Sequence, residues 1–256
     1  MQTVIFCGGS GTRLREMSEF LPKPLIPIGG KPLVWHIMKL YAHYGFKEFI
    51  LALGYKQEAF KQYFTHYDQI NNDVTVDIGC YQGMNHHEHR DHGWRVTMSD
   101  TGLETLKGGR LKKIEKYVKG DDFFCTYGDG IGDIDLPGLL KFHFGHNKIA
   151  TVTAVHPVPR FGEIKIDREG RAVSFSEKPE DGCLTNAGFF MFRRNIFDCL
   201  DEGCDLEVGV LDDLARNGEL MVWQHKGYWG CMDSLKDMGI LQNEWDTGKA
   251  RWKVWK

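Results

Sequence analysis

Val4-Ile5-Phe6-Cys7-Gly8-Gly9-Ser10-Gly11-Thr12-Arg13-Leu14, with Pro22-Lys23-Pro24 a few residues on, joins an apolar strand-forming run to a glycine loop and sets two fixed cations beyond it. Glycines let the chain turn tightly and bring main-chain N–H groups against phosphate oxygens, where a Cβ would hold them off. Arg13 can fork onto a phosphate, and Lys23 can place a point charge on one. The stretch therefore reads as a triphosphate cradle built from Gly8, Gly9, Gly11, Thr12, Arg13 and Lys23. It is not a Walker A loop, because no Gly-Lys-Ser/Thr closes it. It also lacks the third glycine and the downstream acid of a dinucleotide-binding turn. An ordinary strand-to-helix turn would account equally well for GGxG alone; Thr-Arg-Leu and Pro-Lys-Pro at this spacing favour phosphate.

Outward from this loop, short β-rich runs alternate with amphipathic segments. Strands are expected at 3–7, 48–53, 74–78, 94–99, 122–127, 149–155, 162–166, 173–176, 187–192 and 219–225, with helices after Pro32, near 57–66, and at 136–146, 207–216 and 234–245. Such alternation predicts βαβ units on a parallel sheet. Leu33, Ile37, Leu40 and Tyr41 recur at helical spacing and read as core. Segment 80–93 is polar and irregular and reads as a surface loop.

The chain has 256 residues, 42% of them hydrophobic, enough to bury a core as one large domain spanning 1–256. A net charge of −3 excludes the global basic field that favours nucleic acid, so phosphate affinity must come from locally placed cations. Seven cysteines without a CxxC pair read as reduced, buried thiols of a cytoplasmic protein. No stretch has the length of a membrane span and no leader pattern precedes the first strand, so neither membrane nor nucleic acid is expected as a partner.

Phe123-Phe124-Cys125-Thr126-Tyr127-Gly128-Asp129-Gly130 is a buried strand ending in an acid between glycines. Ligands of open α/β sheets collect at the carboxyl ends of strands, which delivers Asp129 to the edge that carries the glycine loop. A turn aspartate bonding its own backbone is the plainer reading of Gly-Asp-Gly by itself. Asp133 and Asp135 follow at a spacing that fails the EF-hand pattern and read as loop or capping acids. Asp233 precedes Ser234-Leu235-Lys236-Asp237, which reads as a capping box opening the last helix.

Taken together, these motifs resemble those of the sugar-1-phosphate nucleotidyltransferases. The likeness rests on GGxGTRL, on Leu21-Pro22-Lys23-Pro24-Leu25, and on Gly29-Gly30-Lys31-Pro32-Leu33. It continues through Gly108-Gly109-Arg110-Leu111, Thr126-Tyr127-Gly128-Asp129-Gly130, Arg160-Phe161-Gly162, Glu177-Lys178-Pro179 and Met232-Asp233-Ser234-Leu235, in that family's order along nearly the whole chain. Within the family the chain is most similar to the glucose-1-phosphate cytidylyltransferase branch. The resemblance implies a Rossmann-like, GT-A-like fold: a mostly parallel twisted sheet flanked by helices, with small insertions in a single domain. It also implies homo-oligomers, often hexamers.

The resemblance further implies roles. Asp129 and Asp233 would be the metal carboxylates and Mg²⁺ the cofactor. Lys178 would grip the acceptor phosphate, Glu177 would accept from sugar hydroxyls, and Asn186 and Gly162 would line the acceptor pocket. The base must be read by groups complementary to cytosine, for which Gly108, Gly109 and Arg110 are the candidates: main-chain groups exposed by the glycines and a guanidinium donor. The expected reaction is CTP plus a phosphorylated acceptor, foremost α-D-glucose 1-phosphate, giving a CDP-linked product and pyrophosphate. Its catalytic residues would be Arg13, Lys23, Asp129, Lys178 and Asp233.

Two departures keep other acceptors open. Cys183-Leu184-Thr185-Asn186-Ala187-Gly188 lacks the Trp and one Gly usual in the cytidylyltransferases, and Glu163 stands where a small residue is expected. The alternatives are another sugar phosphate, a small non-sugar phosphate or phosphonate, and a non-catalytic nucleotide-sugar sensor. The last is disfavoured by the retained charges at Arg13, Lys23, Asp129, Lys178 and Asp233. His86-His87-Glu88-His89-Arg90-Asp91-His92 has donors for zinc at a spacing that fits no standard site. The basic, aromatic tail 249–256 is expected to pack on the body or on a neighbouring subunit.

Overall fold

The computed structural model describes residues 1–9, 20–78, 84–86, 92–157, 163–176 and 183–256, without the side chains of 84–86, 163 and 176. The strands, in chain order, are β1 (Gln2–Cys7), β2 (Pro27–Ile28), β3 (Lys31–Pro32), β4 (Glu48–Leu53), β5 (Val74–Val76), β6 (Met84–His86), β7 (Arg95–Asp100), β8 (Asp122–Tyr127), β9 (Gly130–Gly132), β10 (Ala150–Val155), β11 (Glu163–Ile166), β12 (Ala172–Ser176), β13 (Thr185–Arg193), β14 (Leu220–Gln224) and β15 (Trp229–Cys231). The α-helices are α1 (Leu33–His43), α2 (Gln57–Thr65), α3 (Tyr67–Asn71), α4 (Lys107–Lys113), α5 (Leu136–His146), α6 (Val210–Arg216) and α7 (Leu235–Asp246).

Seven strands form one sheet in the order β14-β10-β13-β8-β1-β4-β7. β13 runs antiparallel to β8 and β10, and the remaining pairs are parallel, as a run of βαβ units requires. Central strands of such a sheet are buried on both faces and therefore read as continuous apolar runs. In β1, Ile5 and Cys7 enter one core with α1, while Val4 and Phe6 enter the other with Leu111, Leu211 and Leu214. The chain leaves β1 toward β4 and β7, then returns to the opposite side of β1 as β8. That reversal opens a crevice beyond the carboxyl ends of β1 and β8, where ligands of doubly wound sheets bind.

Several expectations need correction. Gly108 and Gly109 lie within α4, which the sequence reading left out, because two adjacent glycines argue locally against a helix. Tertiary packing outweighs that propensity: the Gly109 N–H donates to Cys204 O over 3.1 Å, and an added Cβ there would come within 2.2 Å of Glu202 O. Pro32 stands at the N-cap of α1 rather than inside its first turn. Of the six described cysteines, all free, only Cys7 and Cys125 are buried, and Cys183 and Cys199 are exposed.

The tail folds back onto the body. Trp252 is fully buried, its ring near Tyr228, Trp245 and His36, and Trp255 lies against Trp35. Asp135 caps α5 through Gly138 N at 3.0 Å, and Asp133 pairs with His225 at 2.9 Å, so neither acid faces a ligand set. His87 to Asp91 lie outside the described residues. Among the described residues no helix is long and apolar enough to cross a membrane.

Candidate active site

Two local devices fix Lys23. Pro22 and Pro24 flank it, and Leu25 N donates to Pro22 O at 2.8 Å while Ile26 N donates to Lys23 O at 3.1 Å, closing a short 3₁₀ turn. The turn lies against the end of β8: a Cβ on Gly128 would stand 2.5 Å from Phe6 O and 2.8 Å from Pro24 Cγ. Only glycine at 128 lets β8 end this close to β1 and to the Lys23 turn, which brings the next residue, Asp129, beside Lys23.

Asp233 arrives from the far end of the chain by a two-stranded ladder. β15 pairs antiparallel with β9, with Cys231 opposite Gly130, and Met232 N donates to Asp129 O at 3.0 Å. The residue after Met232 is therefore held next to Asp129. Its backbone direction is set by the capping box of α7: the Asp237 carboxylate accepts from Asp233 N at 3.1 Å and Ser234 N at 2.9 Å, and Ser234 Oγ accepts from Asp237 N at 3.2 Å.

The three side chains meet. Lys23 Nζ donates to Asp129 Oδ2 at 2.8 Å and to Asp233 Oδ1 at 2.6 Å. Burial alone would lower the Lys23 ammonium, but the charge of Asp129 and the hydrogen bonds to both carboxylates outweigh it, and its pKa stands above the ordinary lysine value. The donor atoms of Asp129, Cys231 and Asp233 lie within 4.8 Å of one another, close enough to share one cation. Burial, reinforced by Asp129, raises the Cys231 thiol, and the two carboxylates are the hard oxygen donors of the group. This donor set fits a hard cation such as Mg²⁺, which is held by one or two carboxylates with water and phosphate oxygens completing its shell.

A cleft of about 1420 Å³ surrounds this cluster, and its walls include Gly8, Gly9, Lys23, Asp129, Asp233, Asn186 and Arg110. Those seven of the expected site residues are thus brought to one crevice. Gly109 is not in its wall, since it packs on the 202–204 segment. Gly11, Thr12, Arg13, Gly162, Glu177 and Lys178 lie outside the described residues.

Arg110 is engaged otherwise than its expected contact with cytosine requires. It is 5% exposed, and its two terminal nitrogens donate to Leu53 O, Thr101 Oγ1, Gly102 O, Gly8 O and Leu103 O at 2.7–3.1 Å. The guanidinium fork suits this many carbonyls in a plane better than any other side chain. Arg110 is therefore a brace that ties the end of β1 to the end of β4 and to the loop after β7.

A second network escaped the sequence reading. Asn186 Nδ2 donates to Tyr127 Oη at 3.1 Å, its Oδ1 accepts from Gly188 N at 2.7 Å, and both Tyr127 Oη and Lys107 Nζ donate to Glu207. Lys107 Nζ also lies 4.6 Å from the centre of the Tyr127 ring. Burial, and then the hydrogen bond to Glu207, raises the Tyr127 phenol, which stays a neutral donor. Tyr127 was visible in the Thr-Tyr-Gly-Asp-Gly motif; Lys107 and Glu207 carry no local signal, because only the fold brings them together.

The model of the family described as "Nucleotidyl transferase" matches residues 2–230. Glucose-1-phosphate cytidylyltransferase of Salmonella typhimurium is 45% identical over 258 residues covering 100% of both chains. A probable glucose-1-phosphate cytidylyltransferase of Bacillus subtilis is 40% identical over 259 residues, again covering 100% of both. Among solved structures, HddC from Yersinia pseudotuberculosis superposes with a TM-score of 0.70 at 21% identity, covering 95% of this chain and 99% of that one. This last likeness concerns the fold.

Proposed function

The chain belongs to the nucleotidyl transferase family, and from that premise we propose that it is a cytidylyltransferase joining CTP to α-D-glucose 1-phosphate to form CDP-glucose and pyrophosphate. The observation that carries this reading is full-length identity of 40–45% with proteins named for that activity, in a chain whose crevice gathers Lys23, Asp129 and Asp233 beside the glycine loop.

At neutral pH the acceptor phosphate, whose second pKa is about 6, is mostly a dianion and already nucleophilic. One of its oxygens bonds to the α-phosphorus while the bond from that phosphorus to the bridging oxygen breaks, and pyrophosphate departs with the electron pair. No proton has to be moved. The obstacle is the approach of two polyanions, so the protein's work is alignment and charge neutralisation. Asp129 and Asp233 would hold Mg²⁺, which supplies Lewis-acid stabilisation of the α-phosphate and its neighbours. Lys23 offers its ammonium to the reacting phosphates, and Gly8 and Gly9 set main-chain groups along the crevice. Arg13 and Lys178 are assigned to the pyrophosphate and to the acceptor phosphate, with Gly11 and Thr12 in the nucleotide loop. Asn186, Glu177 and Gly162 are assigned to the sugar. Arg110 and Gly109 act on the base end indirectly, by shaping the polypeptide around it.

We take residues 1–256 as one nucleotidyltransferase domain working as a homo-oligomer in the cytoplasm. Free thiols throughout the described residues suit a reducing compartment. The β11–β12 hairpin, outside the main sheet, exposes Ile164, Ile166, Val173 and Phe175, apolar surface that suits a subunit contact.

The test is pyrophosphate release from CTP, UTP, GTP, ATP and dTTP against a panel of sugar phosphates and small phosphonates. Release is expected with CTP and glucose 1-phosphate, and Asp129→Asn is expected to lower it by orders of magnitude with an unchanged circular-dichroism spectrum. Release from CTP only with another acceptor would reassign the sugar. No release from any pair would overturn the reading.

A further inference from the structure

The Lys23 ammonium lies 2.8 Å from one oxygen of Asp129 and 2.6 Å from one of Asp233. Those carboxylates are the hard donors of the cluster whose atoms lie within 4.8 Å of one another. A divalent ion bonded to the same oxygens at about 2.1 Å would stand almost in contact with Nζ. Ammonium and metal ion therefore compete for one site.

We propose that Lys23 is an internal substitute for the divalent cation: its ammonium keeps the two carboxylates together in the nucleotide-free protein, an arriving metal–triphosphate displaces it, and the freed ammonium takes a phosphate. This rests on the nucleotidyl-transfer reading given above. Three observations carry it. The side chain of Lys23 is 12% exposed, against 31% for Asp129 and 26% for Asp233, so of the three side chains that line the cleft the carboxylates are the more open to an arriving ion. The proline-flanked turn fixes the Lys23 backbone, which confines the displacement to a flexible four-carbon stem. Finally, the ammonium already offsets part of the charge of the two carboxylates it bridges, so a metal arriving alone must first evict a resident cation. A metal arriving with a triphosphate removes that difficulty, because the phosphates offer the evicted ammonium a new anion. Metal and nucleotide then strengthen each other's binding, and the coupling is reciprocal.

The experiment measures Mn²⁺ binding to the full chain by electron paramagnetic resonance of the free ion, and thermal melting with and without Mn²⁺. It compares the native protein with Lys23→Met, Lys23→Gln and the double variant Lys23→Met/Asp129→Asn. Without nucleotide, removal of the ammonium is expected to tighten Mn²⁺ binding on the order of tenfold. Mn²⁺ should also raise the melting temperature of the single variants more than that of the native protein, and Asp129→Asn should abolish both gains. When Mn²⁺ is presented as its CTP complex, calorimetry should find the native protein at least as tight a binder as either single variant. If the native protein binds Mn²⁺·CTP while neither folded variant gains affinity for Mn²⁺ alone, the substitute role is wrong and nucleotidyl transfer stands. If the native protein neither binds Mn²⁺·CTP nor releases pyrophosphate, the functional reading fails and takes this inference with it.

Discussion

Acidification should unlatch the C-terminal tail through one histidine. His36 is fully buried, its Nε2 lies 2.9 Å from Ile28 O, and Trp252 Nε1 donates to its Nδ1 over 3.4 Å. An indole nitrogen only donates, so Nδ1 must be the bare nitrogen and Nε2 must carry the proton. Protonating Nδ1 sets two N–H groups against each other inside an aromatic shell that includes Trp35, Trp245, Trp252 and Trp255. Burial, opposed in part by the carbonyls of Ile28 and Lys31, lowers the imidazole from 6.5 to about 4. The folded pKa is depressed, so the unfolded chain takes up the proton first as pH falls. The stability linked to His36 is complete above pH 6.5, declines below it, and is fully lost below about 4. At pH 4.5 the two binding equilibria differ by about 2.5 kcal/mol. Urea denaturation followed by tryptophan fluorescence at pH 7.5 and pH 4.5 measures this directly. His143 is likewise lowered to about 4, by burial opposed by Asp122, and contributes equally to native protein and variant. His36→Gln, which keeps an N–H for Ile28 O, should lose about 2.5 kcal/mol less than the native protein between the two pH values. Equal losses in the two proteins would refute the assignment.

Three further outcomes follow from the site. Gly109→Ala should lower stability by about 1–3 kcal/mol, because its Cβ would meet Glu202 O at 2.2 Å; a raised melting temperature, the usual effect of alanine inside a helix, would show that this packing is not limiting. Arg110→Lys keeps the charge and loses the fork, so it should lower stability by about 2 kcal/mol and raise the KM for CTP more than it lowers kcat; an unchanged KM would separate the brace from the base end. Tyr127→Phe removes the hydroxyl shared by Asn186 and Glu207 and should raise the acceptor KM while the KM for CTP holds; equal effects on both substrates would place the network elsewhere.

What was legible in the sequence is what local pattern records. The run Phe123-Phe124-Cys125 announces a strand with two buried faces, and it is one: Phe124 enters one core while Phe123 and Cys125 enter the other. The Ser234–Asp237 capping box was readable for the same reason, since both partners sit within one turn. Asp129 and Lys23 could be named as candidates because each carries a short motif, and the fold sets them side by side in one cleft. Gly108-Gly109 hid a helix, because a glycine pair has one appearance for two uses. Whether it exposes backbone to a ligand or admits a neighbouring chain depends on residues 202–205, almost a hundred positions away. Arg110 is similar: a guanidinium signals planar acceptors, and nothing local announces the main-chain carbonyls that it engages here.

The same distinction explains why the tail matters to the cleft. Trp252 packs beside Tyr228, and the Arg251 guanidinium lies 4.0 Å from the centre of the Tyr228 ring. Tyr228 precedes β15, whose ladder with β9 holds Asp233 beside Asp129. The ladder is only three residues long on each side and stands apart from the main sheet, and two-stranded ribbons of that size are marginal by themselves. Packing from the tail is thus part of what keeps the second carboxylate in place. A truncation ahead of Trp252 should therefore weaken Mn²⁺·CTP binding even though no residue of the tail beyond Arg251 lines the crevice.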